Sequence, residues 1–142
     1  MKVEYFVIRD FKLDGRSRSD ESFARLQRYN EGAQRRAGNS AATWAGIGES
    51  YQAVFTEAGG RWKADRLAET NEKAIAAYEQ AVELYPNSPL YRAKLALAYR
   101  DAGDEVRFRE EARIALELDE ATPHEDKKLG RLRDELTDAL GD

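Results

Sequence analysis

The chain has 142 residues, enough for one domain with a buried core, and its 42% hydrophobic content excludes wholesale disorder. The absence of cysteine excludes disulfides, thiolate metal sites and a cysteine nucleophile. A net charge of −4, with acidic residues near each basic pair, argues against nucleic-acid binding. Abundant Ala, Leu, Glu and Arg, with only three prolines, favour an all-α fold.

The first 18 residues give the weakest structural signal. An apolar run at residues 3–8 is interrupted by Glu4 and predicts a short strand or an extended packing arm. It is too short to cross a membrane, and no signal-peptide cleavage site follows it. We therefore expect an N-terminal arm or linker at residues 1–18, a helical domain over residues 19–142, and no membrane insertion by this chain.

Two helices are predicted next. The first starts near Glu21, and its inward side chains recur at helical spacing: Phe23, Leu26, Tyr29 or Asn30, Ala33 and Ala37. Gly38 is expected to end it in a left-handed conformation, and Ser40 is expected to cap the next helix. That helix covers about residues 41–56 and has one stripe of apolar or small residues: Trp44, Ile47, Gly48, Tyr51 and Phe55.

A proline pair separates the next two helices. The spacing of apolar residues predicts a third helix over residues 61–85, with Trp62 at least partly buried. Ser88 then caps a fourth helix and Pro89 takes its first position, where its missing N–H costs nothing. The fourth helix is predicted over residues 89–102.

The last two predicted helices end the domain. The fifth covers residues 104–118. The sixth is predicted to begin with Thr122 as N-cap and Pro123 in first position, with Glu125 completing a capping box. Its apolar stripe consists of four leucines: Leu129, Leu132, Leu136 and Leu140. We expect residues 122–140 to form a capping helix that is apolar on one side only.

Two segments resemble the halves of a known repeat. The pattern W-x2-I-G-x2-Y covers residues 44–51, and A-x3-Y-x2-A-x4-P covers residues 74–86. Together they resemble the tetratricopeptide repeat, a helix–turn–helix unit of 34 residues. The resemblance implies a right-handed superhelix of stacked hairpins with these parts: repeat 1 at about 41–88 with an insertion at 57–70, repeat 2 at about 89–120, and the capping helix.

The two closely spaced glycines, Gly46 and Gly48, also allow a nucleotide-binding interpretation. A phosphate loop requires Lys followed by Ser or Thr after the last glycine, and that pair is absent here. In the tetratricopeptide repeat, the small residue at the Gly48 position lets the partner helix approach closely. We therefore expect Gly48 to serve packing.

The resemblance implies a non-catalytic module that binds a peptide or protein on a concave face, which the first helix of each repeat lines. The candidate contact residues on that face are Ala45, Glu49, Gln52, Leu90, Lys94, Leu97 and Arg100. Leu90 and Leu97 lie off the core stripe of the fourth helix. They are predicted to be exposed or to be covered by a neighbouring element, such as the arm at residues 3–11.

No catalytic residue, cofactor site or metal site is predicted. His124 is the only histidine and has no partner for metal binding or base catalysis, so we expect it to face solvent or a helix end. The adjacent acid pairs Glu110–Glu111 and Asp134–Glu135 lie on exposed helix faces and cannot form the opposed carboxylates of a glycosidase. A protein partner, with a homo-oligomer as one option, is therefore expected.

Two alternative functions stay open. The Trp-containing insertion, combined with residues 74–89 and 115–129, resembles the C-terminal helical-repeat tails of some large bacterial membrane proteins, including O-antigen polymerase and ligase types. That similarity implies a soluble tail of a membrane glycan enzyme, on either side of a bacterial membrane. A small helical hydrolase is the enzyme-class alternative, and it is disfavoured because no catalytic motif is present.

Overall fold

The computed structural model describes residues 19–58, 64–125 and 128–141, which form helices without a strand. The helices are α1 (Ser19–Ala37), α2 (Ala41–Ala58), α3 (Ala64–Leu84), α4 (Pro89–Asp101), α5 (Glu105–Ala121) and α6 (Arg131–Leu140). The predicted all-α class is confirmed. The predicted arm at residues 1–18 and the predicted burial of Trp62 fall outside the described residues.

Local caps set the early helix boundaries at the predicted places. Gly38 has φ of +53° and follows the end of α1. The Ser40 hydroxyl accepts a hydrogen bond from the backbone N–H of Thr43 at 3.2 Å, and Ser88 accepts one from the N–H of Tyr91 at the same distance. Each cap satisfies an N–H group that has no partner within its helix.

The predicted start of the last helix is wrong. Helix α6 begins at Arg131, after Gly130 with φ of +57°, rather than at Pro123. Thr122 instead follows the end of α5, where its hydroxyl donates to the carbonyl oxygen of Leu118 at 2.7 Å. Thr122 is the residue that ends α5, and the chain does not continue from it into a helix at Pro123. The capping helix is therefore shorter than predicted.

Asp119 shapes the link between α5 and α6. Its side chain is buried, with Oδ1 accepting from the backbone N–H of Leu129 at 2.7 Å and Oδ2 accepting from Arg133 at 2.8 Å. The ammonium of Lys128 donates to the Asp119 backbone carbonyl at 2.9 Å. Because the buried carboxylate finds its donors in the link and in the first turn of α6, the link adopts this path instead of a longer helix.

One hydrophobic core runs through the helices. Helix α2 packs most extensively against α3, and α4 against α5, while α1 covers α2 and α6 covers parts of α4 and α5. The core includes Phe23, Tyr78, Phe108 and Leu136, which come from four different helices and are each at most 2% exposed. Burial of such side chains stabilises the fold by about 1.5–3 kcal/mol each.

A buried polar contact joins α1 to α2. Asn30 is fully buried, and its amide Nδ2 donates to the hydroxyl of Ser50 at 2.8 Å. The Ser50 hydroxyl in turn donates to the carbonyl oxygen of Ile47 at 2.7 Å. Of the two side chains predicted for this inward position, Asn30 is buried and Tyr29 is 40% exposed.

Candidate functional site

Polar side chains of α2 and α4 meet along one surface. The ammonium of Lys94 forms an ion pair with the carboxylate of Glu49. Gln52 Nε2 donates to Asp101 Oδ2 at 3.4 Å. These contacts join helices from two different pairs and bring side chains of α2 and α4 together. We call the surface formed by these four residues and Arg100 the α2/α4 face.

Tyr78 of α3 supports the α2/α4 face from beneath. Its hydroxyl donates to Gln52 Oε1 at 2.8 Å, and its ring has no exposed surface. The ring lies against Gly48, where an added Cβ would come within 2.6 Å of Tyr78 Cε1. The expected close helix approach at Gly48 is thus confirmed. Burial is the main cause, and the negative charges of Glu49 and Asp101 are smaller causes, of a Tyr78 pKa well above its usual range. The hydroxyl therefore stays protonated and can donate its hydrogen bond.

The end of the α2/α4 face near the C-terminus of α4 is charged and partly buried. Burial raises the pKa of the Asp101 carboxyl, while the hydrogen bond from Gln52 and the charge of Arg100 oppose that shift. Arg100 also bonds to Glu135 of α6 at 3.2 Å. This end of the face is therefore bounded by α2 on one side and by α6 on the other.

Four of the seven predicted contact residues reach the α2/α4 face, namely Glu49, Gln52, Lys94 and Arg100. Their side chains are partly exposed, with 39% exposure for Glu49 and 38% for Arg100. Each of the four already has a polar partner within the protein. A ligand on this face would therefore meet ordered polar groups on two neighbouring helices.

The other three predicted contacts do not belong to the face. Ala45 is 4% exposed and Leu97 is 9% exposed, so neither offers contact area to a partner. Ala45 lies three residues before Gly48, on the side of α2 that packs inward. Leu97 is buried because α4 is surrounded by α2, α3, α5 and α6. Its expected cover, the arm at residues 3–11, lies outside the described residues.

Leu90 is 40% exposed and lines a cleft of about 390 Å³ at the start of α4. Tyr85 and Tyr91 line the same cleft with their rings at 83° and their centroids 6.4 Å apart. Lys128 from the α5–α6 link completes one edge. Leu90 is therefore exposed, which is one of the two states predicted for it, and it lies one helical turn before Lys94 on α4.

Sequence reasoning missed Asn71, a buried amide on α3. Asn71 is 2% exposed, and its Nδ2 donates to the carbonyl oxygen of Ala98 on α4 at 3.1 Å. Its Oδ1 is buried and has no hydrogen-bond partner among the described residues. The position of Asn71 between Leu67 and Ala74 at helical spacing would have placed it on the inward side of α3.

Asn71 lines a second cleft, of about 320 Å³, between the ends of α2 and α4 and the start of α3. We call it the Asn71 cleft. Its lining also includes Phe55, Leu67, Glu72 and Asp101. Since Asp101 also bonds to Gln52, the Asn71 cleft adjoins the α2/α4 face.

The described part of the chain does not have the geometry of a metal site or of a membrane-spanning helix. Over residues 19–58, 64–125 and 128–141, no group of three or more His, Asp or Glu side chains is arranged to hold a metal ion. His124 is exposed. Among the described helices, none combines the length and the apolar character needed to cross a bilayer.

Comparison with known proteins leaves the family open. No protein-family model matches this chain, and a search of curated proteins finds no match either. The similarity to the tetratricopeptide repeat therefore stays a prediction that rests on the residues of the two motifs.

Proposed function

We propose that this chain is a non-catalytic protein-interaction module of the tetratricopeptide type, whose hairpins stack as a right-handed superhelix and whose α2/α4 face binds a protein segment. The observation that supports it most is the contact between side chains of α2 and α4 through Glu49–Lys94 and Gln52–Asp101. In stacked helical hairpins, equivalent helices of neighbouring hairpins line a common binding surface. The close approach of Tyr78 to Gly48 agrees with the packing that the repeat requires.

The chemistry of the face favours polar recognition. Partly exposed ion pairs such as Glu49–Lys94 contribute only about 0–1 kcal/mol to folding, so their groups can turn to a ligand at little cost. Gln52 and Arg100 add amide and guanidinium groups that recognise peptide carbonyls and carboxylates. Because Leu97 is buried and the exposed groups of the face are polar, charge complementarity would orient and steer the partner.

Site-directed photo-cross-linking tests the proposal. A photoreactive phenylalanine analogue replaces Glu49 in one variant and Val106 in another, and both are expressed in the source cells. Val106 is 69% exposed on α5 and serves as a matched surface control. We expect a discrete adduct at position 49 and none at position 106. Mass spectrometry then identifies the cross-linked segment.

A charge-swapped variant checks that the adduct depends on the face. Glu49→Lys combined with Lys94→Glu keeps an internal ion pair but reverses the charge pattern presented to a partner. With the photoreactive group moved to Gln52, this variant should lose most of the adduct while keeping its helical circular dichroism. Equal adducts at positions 49 and 106, or an adduct unaffected by the swap, would contradict the proposal.

A further inference from the structure

Exposed apolar side chains concentrate in the cleft at the start of α4, which we call the Tyr85 cleft. Tyr85 is 56% exposed and Leu90 is 40% exposed, and they are two of the four large apolar side chains that are exposed in the described part of the chain. The cleft volume of about 390 Å³ lies within the range of about 300–1,000 Å³ that is usual for ligand pockets. Apolar groups that gather in one concave place, instead of being scattered singly, indicate a binding surface.

Hydrogen bonds hold the walls of the Tyr85 cleft in place before any ligand binds. Ser88 caps the first turn of α4 through the backbone N–H of Tyr91. Arg92 Nε donates to the carbonyl oxygen of Pro86 at 3.1 Å, and its guanidinium also pairs with Glu111 of α5 at 3.0 Å. These bonds fix the turn between α3 and α4 against α5. A ligand therefore meets a preformed surface, and little ordering of the protein opposes binding.

Lys128 supplies positive charge at one edge of the Tyr85 cleft. Among the described residues that line the cleft, no other side chain is charged. An ammonium has three donor hydrogens, and Lys128 gives one of them to the backbone carbonyl of Asp119 at 2.9 Å. The Asp119 carboxylate is bonded directly by the guanidinium of Arg133 at 2.8 Å. The half-buried ammonium of Lys128 can therefore bind a carboxylate that enters the cleft, and charge complementarity favours a ligand of that kind.

The Tyr85 cleft continues the α2/α4 face. Leu90 precedes Lys94 by one helical turn, and Ala41, which also lines the cleft, is the first residue of α2. Four residues of α-helix span about 6 Å, which an extended chain covers with about two residues. A segment that contacts Glu49 and Lys94 can therefore place a neighbouring residue in the cleft. Because the face itself presents polar groups, the cleft supplies the apolar anchor that the face does not have.

We propose that the Tyr85 cleft anchors the protein segment that binds the α2/α4 face, by taking one apolar side chain of that segment together with an adjacent carboxylate. The apolar side chain packs against Tyr85 and Leu90, and the carboxylate accepts hydrogen bonds from Lys128. Burial of the apolar group supplies affinity, whereas the carboxylate fixes the direction in which the segment enters. The inference rests on the proposed function for the origin of the segment, but the cleft itself can be tested with short peptides.

The test follows the backbone amide of Tyr91 by NMR in the ¹⁵N-labelled full chain. The probe is leucyl-glutamate, acetylated at its N-terminus and amidated at its C-terminus. Two controls with the same end groups are leucyl-glutamine, which lacks the charge, and alanyl-glutamate, which lacks the large apolar side chain. We expect a saturable shift of the Tyr91 amide with leucyl-glutamate. Each control should bind more weakly by about threefold or more, because each loses one of the two contacts.

A variant of Lys128 assigns the charge contact. Lys128→Gln should lower the affinity for leucyl-glutamate to that for leucyl-glutamine, and should leave the affinity for leucyl-glutamine unchanged. Lys73→Gln is the matched control, because Lys73 is also half-buried but lies near the middle of α3 and outside the cleft lining. Equal effects of Lys128→Gln and Lys73→Gln on binding of leucyl-glutamate would overturn the proposal.

A variant of Leu90 assigns the apolar contact. Leu90→Ala should weaken binding of leucyl-glutamate by about threefold or more. Val106→Ala is the matched control, because Val106 is an exposed apolar residue of α5 outside the cleft lining. If Lys128→Gln unfolds the chain, Leu90→Ala carries the test alone. Equal binding by Leu90→Ala and Val106→Ala would then overturn the proposal.

Failure of the cleft and failure of the proposed function are distinguishable. No saturable shift of the Tyr91 amide, or equal binding of the three dipeptides, overturns the cleft whatever cross-linking shows. A Tyr91 amide that shifts when the protein alone is diluted would assign the cleft to a second copy of the chain and overturn the proposal as well. A specific titration without any cross-link at position 49 removes the proposed function and the origin assigned to the anchor. A specific titration together with a cross-link at position 49 that Lys128→Gln reduces supports both.

Discussion

Gly48 of α2 and Tyr78 of α3 lie so close that a Cβ on Gly48 would be 2.6 Å from the Tyr78 ring. Tyr78 is fully buried and cannot turn aside. Gly48→Ala should therefore lower the free energy of unfolding by about 1–3 kcal/mol, because the two helices must separate. This outweighs the gain of about 1 kcal/mol in helix propensity that alanine brings. Urea denaturation followed by circular dichroism measures the difference.

Gly46 provides the control for this substitution. It lies in the same helix, and a Cβ there would meet nothing within 4 Å. Gly46→Ala should therefore raise the free energy of unfolding by about 0.5–1 kcal/mol through helix propensity alone. Similar effects from the two substitutions would show that contact with Tyr78 does not determine the packing.

Removing the Tyr78 hydroxyl should separate the contribution of its hydrogen bond to stability from the contribution of ring packing. Tyr78→Phe keeps the ring but deletes the bond to Gln52, and should lower the free energy of unfolding by about 0.5–1.5 kcal/mol. Tyr85→Phe is the control, because Tyr85 is 56% exposed and should show almost no change. Thermal unfolding of both variants checks the prediction, which fails if the two melting temperatures fall equally.

Alkaline pH should unfold the protein through its buried tyrosines. Burial raises the pKa of Tyr51 and Tyr78 above the usual value and, with the nearby charge of Glu79, raises the pKa of Tyr99 to about 12. These groups stabilise the fold fully below their unfolded pKa of about 10, and the stabilisation is lost as pH rises through the folded values. Tyrosinate absorbance should therefore appear together with loss of helical circular dichroism. Complete tyrosine ionisation near pH 10 with intact helices would contradict this.

Asp119 should matter most for the attachment of α6. Burial tends to raise the pKa of its carboxyl, but the bonds from the Leu129 N–H and from Arg133 outweigh burial and hold that pKa below its usual range. Its contribution is therefore present above the unfolded pKa of about 3.9 and is lost as pH falls through the lower folded value. Asp119→Ala should lower the free energy of unfolding at neutral pH by about 1–3 kcal/mol.

Glu120→Ala is the matched control for Asp119→Ala. Glu120 also bonds to Arg133, at 3.1 Å, but its side chain is 71% exposed. Because exposed ion pairs contribute little, this substitution should change stability by less than about 1 kcal/mol. Urea denaturation of the two variants at neutral and acidic pH makes the comparison. If the free energy of unfolding of Asp119→Ala fell at acidic pH by as much as that of the wild type, other carboxyl groups would control stability in acid.

Removal of all residues after Glu120 should make the protein associate. The truncation deletes three buried leucines, Leu129, Leu136 and Leu140, and with them the cover over α4 and α5. We expect newly exposed apolar surface around Ile114 and Leu118 to cause aggregation, measured by size-exclusion chromatography with light scattering. A truncated chain that stays monomeric with the full-length melting temperature would show that α6 is not a cap.

Local sequence rules predicted much of this fold. The class, the end of α1 at Gly38 and the start of α4 after Ser88 follow from contacts within one helical turn. The role of Gly48 was also visible, because a missing side chain between large apolar residues indicates close approach. Such features depend on neighbours in the chain, which the sequence specifies directly.

Contacts between residues far apart in the sequence determined the features that local rules did not predict. The same local rules that placed the start of α4 failed at Thr122, because the buried carboxylate of Asp119 bonds to Leu129 and Arg133 and sets the path of the link. Leu97 lies beneath the surface because α4 has helices on several sides, whereas periodicity in one helix can indicate only one inward stripe. The unpaired oxygen of Asn71 likewise depends on where the Ala98 carbonyl lies in a neighbouring helix. Sequence alone thus determined all of the helices except the start of α6, and their mutual packing determined which of their side chains can meet a partner.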